Sequence, residues 1–572
     1  MNWGPVLLAP DRTRFALWAP ALDTLTLEVD GQEPRAMEPQ ADGWFAVEAP
    51  CGAGARYRFR LPDGTAVPDP AARAQGSDVH GWSIVTDPQS FQWKTQDWRG
   101  RPWNEAVILE CHAGVAGGFA GVAKMLASAA DTGFTALELM PVAAFGGTRN
   151  WGYDGVLPYA PAAAYGDPDA LKALVDQAHA EGVMIFLDVV YNHFGPDGNY
   201  LSAYAPDFFK ADVDTPWGGA IDFAKEPVAR FFIDNAIYWL REFRFDGLRF
   251  DAVHAIADNA FLDRMAREIR AASPDRHIHL VLENEHNDAA RLKGSYDAQW
   301  NDDFHNVMHV LLTGEDHGYY KDFAEDPAKK LARCLSEGFI YQGQGSPNQK
   351  GKPRGTPSGH LPPFRFVSFL QNHDQIGNRA LGERLTVLTS VERLRAATGM
   401  LLLCPQIPLA FMGDAEGSET PFLFFTDFHD ELADAVREGR RGEFAHFPGF
   451  SDPALRERIP DPNARATFDA SRAAPGPDAQ AWGTLYKDLL ALRRERIIPH
   501  LEASKSLGAE AIGDKAVVAR WQLGGGTLTL ALNLGEAPVA MEAVQGDTVV
   551  TIGAGRTESG LMPASFCAWW QG

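Results

Sequence analysis

The sequence predicts a multidomain chain: a central (β/α)8 TIM barrel between an N-terminal β-sandwich and a C-terminal antiparallel β domain. At 572 residues it is too long for a single core. Between about 105 and 500, apolar strands alternate with helical patterns, the grammar of βα units and a parallel sheet. Both ends of the chain instead carry short, partly alternating strands separated by turn dipeptides. The boundaries expected from these changes are 1–98, 99–502 and 503–572.

In the first unit, Phe15-Ala16-Leu17-Trp18, Leu25-Thr26-Leu27-Glu28-Val29 and Tyr57-Arg58-Phe59-Arg60-Leu61 read as strands. Asp30-Gly31, Asp42-Gly43 and Asp63-Gly64 are the turns between them. A Pro-, Asp- and Trp-rich connector at 68–103 should pack on the barrel. Barrel strands are expected near 106–112, 136–141, 184–190, 247–252, 279–284, 297–300, 366–373 and 408–413, the sixth carrying the weakest signal. Between them, Asp167-Pro168 caps a helix whose apolar face is Leu171, Leu174, Val175 and Ala178, with Gly182 as its stop. The helix from Pro227 buries Val228, Phe231, Phe232, Trp239, Leu240 and Phe243 at helical spacing. A long Gly/Pro-rich loop spans 341–363, and loops of that length in a compact domain are often functional. After 503, Val517-Val518-Ala519-Arg520-Trp521, the glycines 524–526 and Leu528-Thr529-Leu530-Ala531-Leu532 read as antiparallel β structure.

The charge balance, 52 basic against 75 acidic residues for a net −23, disfavours nucleic acid and anionic membranes as partners. A neutral substrate would be indifferent to that field. Fifteen Trp and 34 Phe suit a large core and also sugar-stacking surfaces. The five cysteines are scattered, odd in number and without CxxC spacing, which argues against a disulfide framework or zinc site and for a reducing compartment. Met1-Asn2-Trp3-Gly4-Pro5 lacks a basic n-region and a long apolar run, so a cytoplasmic protein is expected. The most apolar stretch, 399–412, contains Pro405 and Pro408 and is too short to span a bilayer.

In a (β/α)8 barrel, reactive groups gather at the C-terminal ends of the strands. Strand three ends Asp188-Val189-Val190-Tyr191-Asn192-His193. Strand four ends at Arg249, Asp251 and His254, strand five at Glu283-Asn284-Glu285-His286, and strand seven at Gln371-Asn372-His373-Asp374-Gln375. Four strand ends, each with a carboxylate and a nearby histidine, point to chemistry. Arg249 and Asp251 alone fit a structural ion pair equally well. Glycoside hydrolysis needs a protonated acid on one side of the sugar and an ionised carboxylate on the other. Asp251 beside Arg249 suits the ionised role, since a cation lowers a carboxylate pKa. Glu283, preceded by Val281 and Leu282, sits in an apolar setting that favours the protonated acid. Asp374 is a third carboxylate, and His193 and His373 can hydrogen-bond sugar hydroxyls.

The stretches 188–193, 247–254, around 283 and 369–374 resemble, in order, the four signature regions of the α-amylase superfamily. The resemblance implies that Asp251 is the nucleophile, Glu283 the general acid/base and Asp374 the transition-state stabiliser. It implies that Arg249 orients Asp251, that His193 and His373 hold the −1 sugar, that Tyr153 stacks beneath it and that Asp188 props the site. Further motifs are similar to those of the maltooligosyltrehalose trehalohydrolase family over nearly the whole chain. They are Trp151-Gly152-Tyr153-Asp154-Gly155, Asn192-His193-Phe194-Gly195-Pro196-Asp197-Gly198-Asn199-Tyr200, Thr215-Pro216-Trp217-Gly218, Asp251-Ala252-Val253-His254-Ala255-Ile256, Gln299-Trp300-Asn301-Asp302-Asp303-Phe304-His305 and Asn372-His373-Asp374-Gln375-Ile376-Gly377-Asn378-Arg379. Such an enzyme is a retaining hydrolase that cuts the α-1,4 bond next to the trehalose end of its oligosaccharide, acting after a maltooligosyltrehalose synthase. His254, Asp303, His305, Gln375 and Asn378 are expected to contact substrate. The chain departs from that family's pattern in a short loop after the first strand, 110–119, and in Gly413-Asp414-Ala415-Glu416 after the eighth.

Dull readings stand beside these. His305 and His309 with Asp302 and Asp303 match no strong metal motif, Asn192 lacks an acidic calcium loop, and the glycines of 343–355 lack P-loop spacing, so no metal or other cofactor is expected. Two other functions stay open on the same scaffold: a glycogen branching or debranching enzyme, and a non-catalytic glucan-binding protein. The intact Asp251, Glu283 and Asp374 argue against the last, because a binder needs no such trio.

Overall fold

The computed structural model describes residues 3–215, 218–256, 258–445, 450 and 452–572. Pro216 and Trp217 of the Thr215–Gly218 motif, and Met1 and Asn2 at the start, lie outside the described residues. The centre is a closed, all-parallel eight-stranded barrel. Its strands are β1 (Ile108–Cys111), β2 (Ala136–Leu139), β3 (Met184–Val189), β4 (Gly247–Phe250), β5 (His279–Leu282), β6 (Ala298–Trp300), β7 (Phe366–Ser368) and β8 (Ile407–Phe411). All eight fall where the βα rhythm puts them. The sixth is real but only three residues long. Every barrel strand is buried along its length, as expected of a parallel sheet covered by helices.

Local signals set the crossover helices. Asp167 accepts from the Ala170 N–H at 2.7 Å, Pro168 opens the helix Pro168–Ala180, and Gly182 follows at φ 73°. The helix Glu226–Glu242 buries Val228, Phe231, Phe232, Trp239 and Leu240. Residues 399–412 divide into the end of helix Val391–Leu403 and the buried strand β8.

Before the barrel lie two antiparallel sheets. Val6–Ala9, Arg12–Trp18, Trp44–Ala49 and Glu38–Pro39 form one; Arg35–Ala36, Thr26–Val29, Arg56–Arg60, Ala66–Val67 and Ser83–Ile84 form the other. Trp3 joins them to the barrel. Its ring meets Trp44 at 4.7 Å and Phe231 at 4.9 Å, and its indole N–H donates to the Pro227 carbonyl at 3.3 Å. The connector packs on the barrel floor, where Trp98 stacks on His179 at 4.8 Å and donates to Asp246 at 2.8 Å. The last sheet is antiparallel, with spatial order Lys505–Gly513, Ala516–Leu523, Gly526–Asn533, Ser565–Gln571, Asp547–Ile552. It shares a hydrophobic core with helix Val391–Leu403 and the β7–β8 side of the barrel. The 341–363 loop contains a small hairpin, Gln344–Ser346 with Lys352–Arg354. All five cysteines are buried and unbridged. Among the described residues, no helix is long and apolar enough to cross a membrane.

Candidate active site

The site is built on the register of β3 and β4, which sets Asp188 opposite Arg249. Arg249 is fully buried. A buried guanidinium needs carboxylate partners, and Arg249 has three. Its Nη1 donates to Asp188 at 2.6 Å and to Asp251 at 2.8 Å, and its Nη2 lies 4.0 Å from Glu283. Its face rests on the Trp300 ring, 4.1 Å from the centroid. One cation thus ties together the acids at the ends of β4 and β5.

A strained turn fixes both acids. The Asp251 N–H donates to the Val189 carbonyl at 3.0 Å, still in strand pairing. Ala252 then takes a left-handed φ of 42°, a conformation that costs a non-glycine residue of order 1–3 kcal/mol. In return its N–H donates to Glu283 Oε2 at 2.6 Å. The Glu283 N–H is held by the Phe250 carbonyl at 3.0 Å.

Across the cleft, His373 opens a short helix capped by Asn372, whose side chain accepts from the Asp374 N–H at 2.9 Å. His373 Nε2 lies 3.3 Å from Asp374 and 2.8 Å from the Tyr153 hydroxyl, and its Nδ1 faces Glu110. Tyr153 stacks on His373 at 5.2 Å and donates to Asp188 at 2.7 Å. Its position depends on Gly152 at φ 107°, where an added Cβ would meet the Pro141 carbonyl oxygen at 2.2 Å. His193 sits beneath, its Nε2 2.9 Å from the Tyr153 carbonyl.

Burial dominates the electrostatics. It pushes the Asp251 carboxyl up to about 8, with Asp188, Glu283 and Asp374 adding to the rise and Arg249 opposing it. This corrects the expectation of a lowered Asp251, because desolvation and three neighbouring acids outweigh one cation. Glu283 is also raised, by burial first. Burial raises Asp374, but His373, with Arg249 and Asn378, outweighs it and leaves the carboxyl lowered. His193 is pushed down to about 4 by burial and is neutral.

The remaining sequence candidates separate. His254 and Asn378 stand at the rim. His254 Nδ1 accepts from the Glu285 N–H at 3.4 Å, and Asn378 is exposed, its amide 3.4 Å from Asp374. Gln375 closes the helix cap, its side-chain oxygen accepting the Asn372 N–H at 3.1 Å. Asp303 and His305 do not reach the cleft, against expectation. Asp303 is fully buried and accepts from Asn287 at 2.9 Å, the Ile340 N–H at 2.7 Å and the Tyr341 N–H at 3.2 Å, and pairs with Arg354 at 3.1 Å. It ties the 341–363 loop to the barrel. His305 is bonded to the Leu370 carbonyl at 2.6 Å and the Tyr320 hydroxyl at 3.2 Å, and burial pushes it down to about 3. Asp303→Ala is therefore expected to cost about 3–5 kcal/mol, the loss for removing one partner of a buried ion pair. A lowered thermal midpoint would show it; a raised KM with an unchanged midpoint would restore the substrate-contact reading.

Three further acids belong to the site that the strand-end pattern does not single out. Asp302 lies among Glu283, Asp374 and Arg354, and burial with the two acids pushes it well above its usual range. Glu110 and Glu138 are paired opposite each other in β1 and β2 and are buried inside the barrel. The available signal is a single Glu in each otherwise apolar strand, Ile-Leu-Glu-Cys and Ala-Leu-Glu-Leu.

A closed parallel barrel carrying carboxylates at the ends of β4, β5 and β7 defines a glycoside hydrolase of the α-amylase class. The family model for the alpha amylase catalytic domain matches residues 73–214, and one for a domain of unknown function (DUF3459) matches 504–569. The malto-oligosyltrehalose trehalohydrolase of Deinococcus radiodurans is 41% identical over 546 residues, 93% of this chain and 89% of that protein. The enzyme of the same description from Saccharolobus solfataricus is 38% identical over 505 residues, 85% of this chain and 86% of that protein. The chain belongs to the malto-oligosyltrehalose trehalohydrolase family. A crystal structure of a Salmonella typhimurium protein described as a putative alpha amylase, 43% identical, superposes with a TM-score of 0.94 and covers 100% of both chains. A Paenibacillus barengoltzii pullulanase, crystallised with maltohexaose and alpha-cyclodextrin, covers 100% of this chain and 95% of its own at a TM-score of 0.71. At 19% identity that likeness is one of fold.

Proposed function

We propose that this chain cleaves the α-1,4-glucosidic bond next to the trehalose end of malto-oligosyltrehalose, releasing trehalose and a malto-oligosaccharide with retained configuration. The observation that carries the reading is the Arg249 guanidinium, 2.8 Å from Asp251 and 4.0 Å from Glu283, in a chain of this family. In the reactive form Glu283 holds the proton and Asp251 is ionised: the Asp251 carboxylate attacks the anomeric carbon while Glu283 gives its proton to the departing trehalose oxygen, and a glycosyl ester forms on Asp251. Glu283, now ionised, takes a proton from water, which attacks the same carbon and frees Asp251. One negative charge moves from Asp251 to Glu283 and back, so the chamber's net charge is constant through the cycle. Asp374, 42% exposed on its side chain, faces the sugar, and Arg249 orients the nucleophile. His373, His193 and Tyr153 hold and floor the −1 sugar; His254, Asn378 and the free amide of Gln375 line its rim.

The division at 98/99 and 502/503 is proposed to separate sandwich, catalytic barrel and C-terminal sheet. The substrate is proposed to come from a synthase that makes the α,α-1,1 link at the end of an α-glucan. A cytoplasmic location fits five unbridged cysteines. Anomeric NMR tests the mechanism. The malto-oligosaccharide should appear first as its α-anomer, and digestion of a trapped intermediate should yield the peptide bearing Asp251 with one added glycosyl group. A β-anomer as first product would contradict it.

A further inference from the structure

Arg249 and His373 each lie between an acid on a barrel strand and one that opens into the cleft. Arg249 stands between Asp188 at 2.6 Å and Asp251 at 2.8 Å. His373 stands between Glu110, on its Nδ1, and Asp374, 3.3 Å from its Nε2. In each relay one carboxylate is a strand residue beneath the cleft and the other opens into it. Tyr153 joins the two, donating to Asp188 Oδ2 at 2.7 Å and lying 2.8 Å from His373 Nε2. The strand-end pattern reveals the first relay and half of the second; Glu110 emerges only in the folded barrel.

A tyrosine hydroxyl has one hydrogen, and that of Tyr153 is directed at Asp188, so the hydrogen between Tyr153 and His373 Nε2 comes from the imidazole. Glu110 accepts from the His373 backbone N–H at 3.2 Å, and its other oxygen faces His373 Nδ1. A ring with an acid at each nitrogen, Glu110 on Nδ1 and Asp374 on Nε2, is placed to hold a proton on both.

We propose that Glu110 is a positioning residue of the reaction: it holds His373 as an imidazolium, so that a fixed positive charge stands beside Asp374 and the reacting sugar. This rests on the glycosidase reading above and extends it to a residue outside the cleft. The groups around His373 agree. Glu110 and His112 face it from β1 and its extension, Glu138 from β2, Tyr153 and Trp151 from the following loop, Asp188 from β3 and Trp300 from β6. Burial opposes the charge on His373, and Asp374 and Glu110 outweigh it, so the imidazole is raised well above its usual range. Burial pushes the neighbouring His112 down to about 4, so it is neutral and brings no competing cation. Glu138 has no hydrogen-bond partner at either oxygen, and burial, Glu110 and Asp188 push it well above the carboxylate range. It makes no hydrogen bond to His373. The charge on His373 is owed to Glu110 and Asp374.

The test is the pH profile of E110Q beside E110D, with malto-oligosyltrehalose as substrate. Without the carboxylate, burial lowers the His373 pKa, so the ring loses its proton as pH rises through the new value. E110Q is expected to lose about 10²-fold in kcat/KM at neutral and higher pH, the cost of removing one fixed electrostatic contact to the transition state. The deficit should shrink on acidification, and E110D should restore most of the rate. A deficit equal at every pH, or E110D as poor as E110Q, would assign Glu110 to packing alone and overturn the proposal. Should E110Q fail to fold, ¹⁵N-histidine NMR of the wild type decides, with His373 assigned by its loss in H373N. Hydrogens on both nitrogens at neutral pH support the proposal, and a single-N–H tautomer overturns it. If the wild type releases no trehalose, the substrate reading falls while the NMR result still decides His373.

Discussion

Asp251→Asn is expected to lower kcat/KM by about 10⁴- to 10⁶-fold, the loss seen when a nucleophile is removed from a site whose parts act as a unit. The amide keeps the shape and a contact to Arg249 but cannot attack carbon. The fold should survive. Arg249 retains Asp188 at 2.6 Å, and the folded chamber already disfavours the Asp251 charge, its carboxyl standing at about 8. Removing one of several crowded acids should leave the thermal midpoint unchanged or raise it, the usual exchange of stability against function at such sites. Activity near wild type in this variant would remove Asp251 from the chemistry, whatever the fold.

Glu283→Gln is expected to fail differently. With a sugar alcohol as leaving group, loss of the proton donor should cost about 10²- to 10⁴-fold. With an aryl glycoside whose leaving group departs unprotonated, formation of the ester should be nearly spared, and the ester should then accumulate because no base activates water. A burst of aryl alcohol followed by a stall is the expected trace. Equal losses on both substrates would mean that Glu283 does not act as the acid. The geometry that makes it one is the buried turn at Ala252, whose N–H holds Glu283 Oε2 at 2.6 Å while burial raises its pKa. The amide oxygen of the substituted side chain can still accept that bond, so the readout isolates the proton.

The barrel was legible because its grammar is periodic: eight apolar strands, helix caps such as Asp167-Pro168, and carboxylates at strand ends all repeat in register. The Arg249–Asp251 pair was legible as a pair, and its meaning came from the company of Glu283 and Asp374. Asp302 and Asp303 show what sequence could not supply. Adjacent residues on a helix point about 100° apart, and nothing in Asn-Asp-Asp-Phe-His says which acid faces the cleft. The structure sends Asp302 toward Glu283 and Asp374 and buries Asp303 against Arg354. Glu110 was hidden for another reason: its partner, His373, lies 263 residues away, and only barrel closure between β8 and β1 brings them together. The Asp251 shift runs opposite to expectation because sequence shows which acids and which cation gather at the strand ends, but not the desolvation that dominates their balance.

The defining reaction of this site is hydrolysis of the bond beside a trehalose end. Incubating the protein with malto-oligosyltrehalose and, separately, with a plain malto-oligosaccharide of equal length decides it. Stoichiometric trehalose is expected from the first, with a matching malto-oligosaccharide, and little cleavage of the second. Equal cleavage of both, or new α-1,6 branches in place of trehalose, would contradict the assignment.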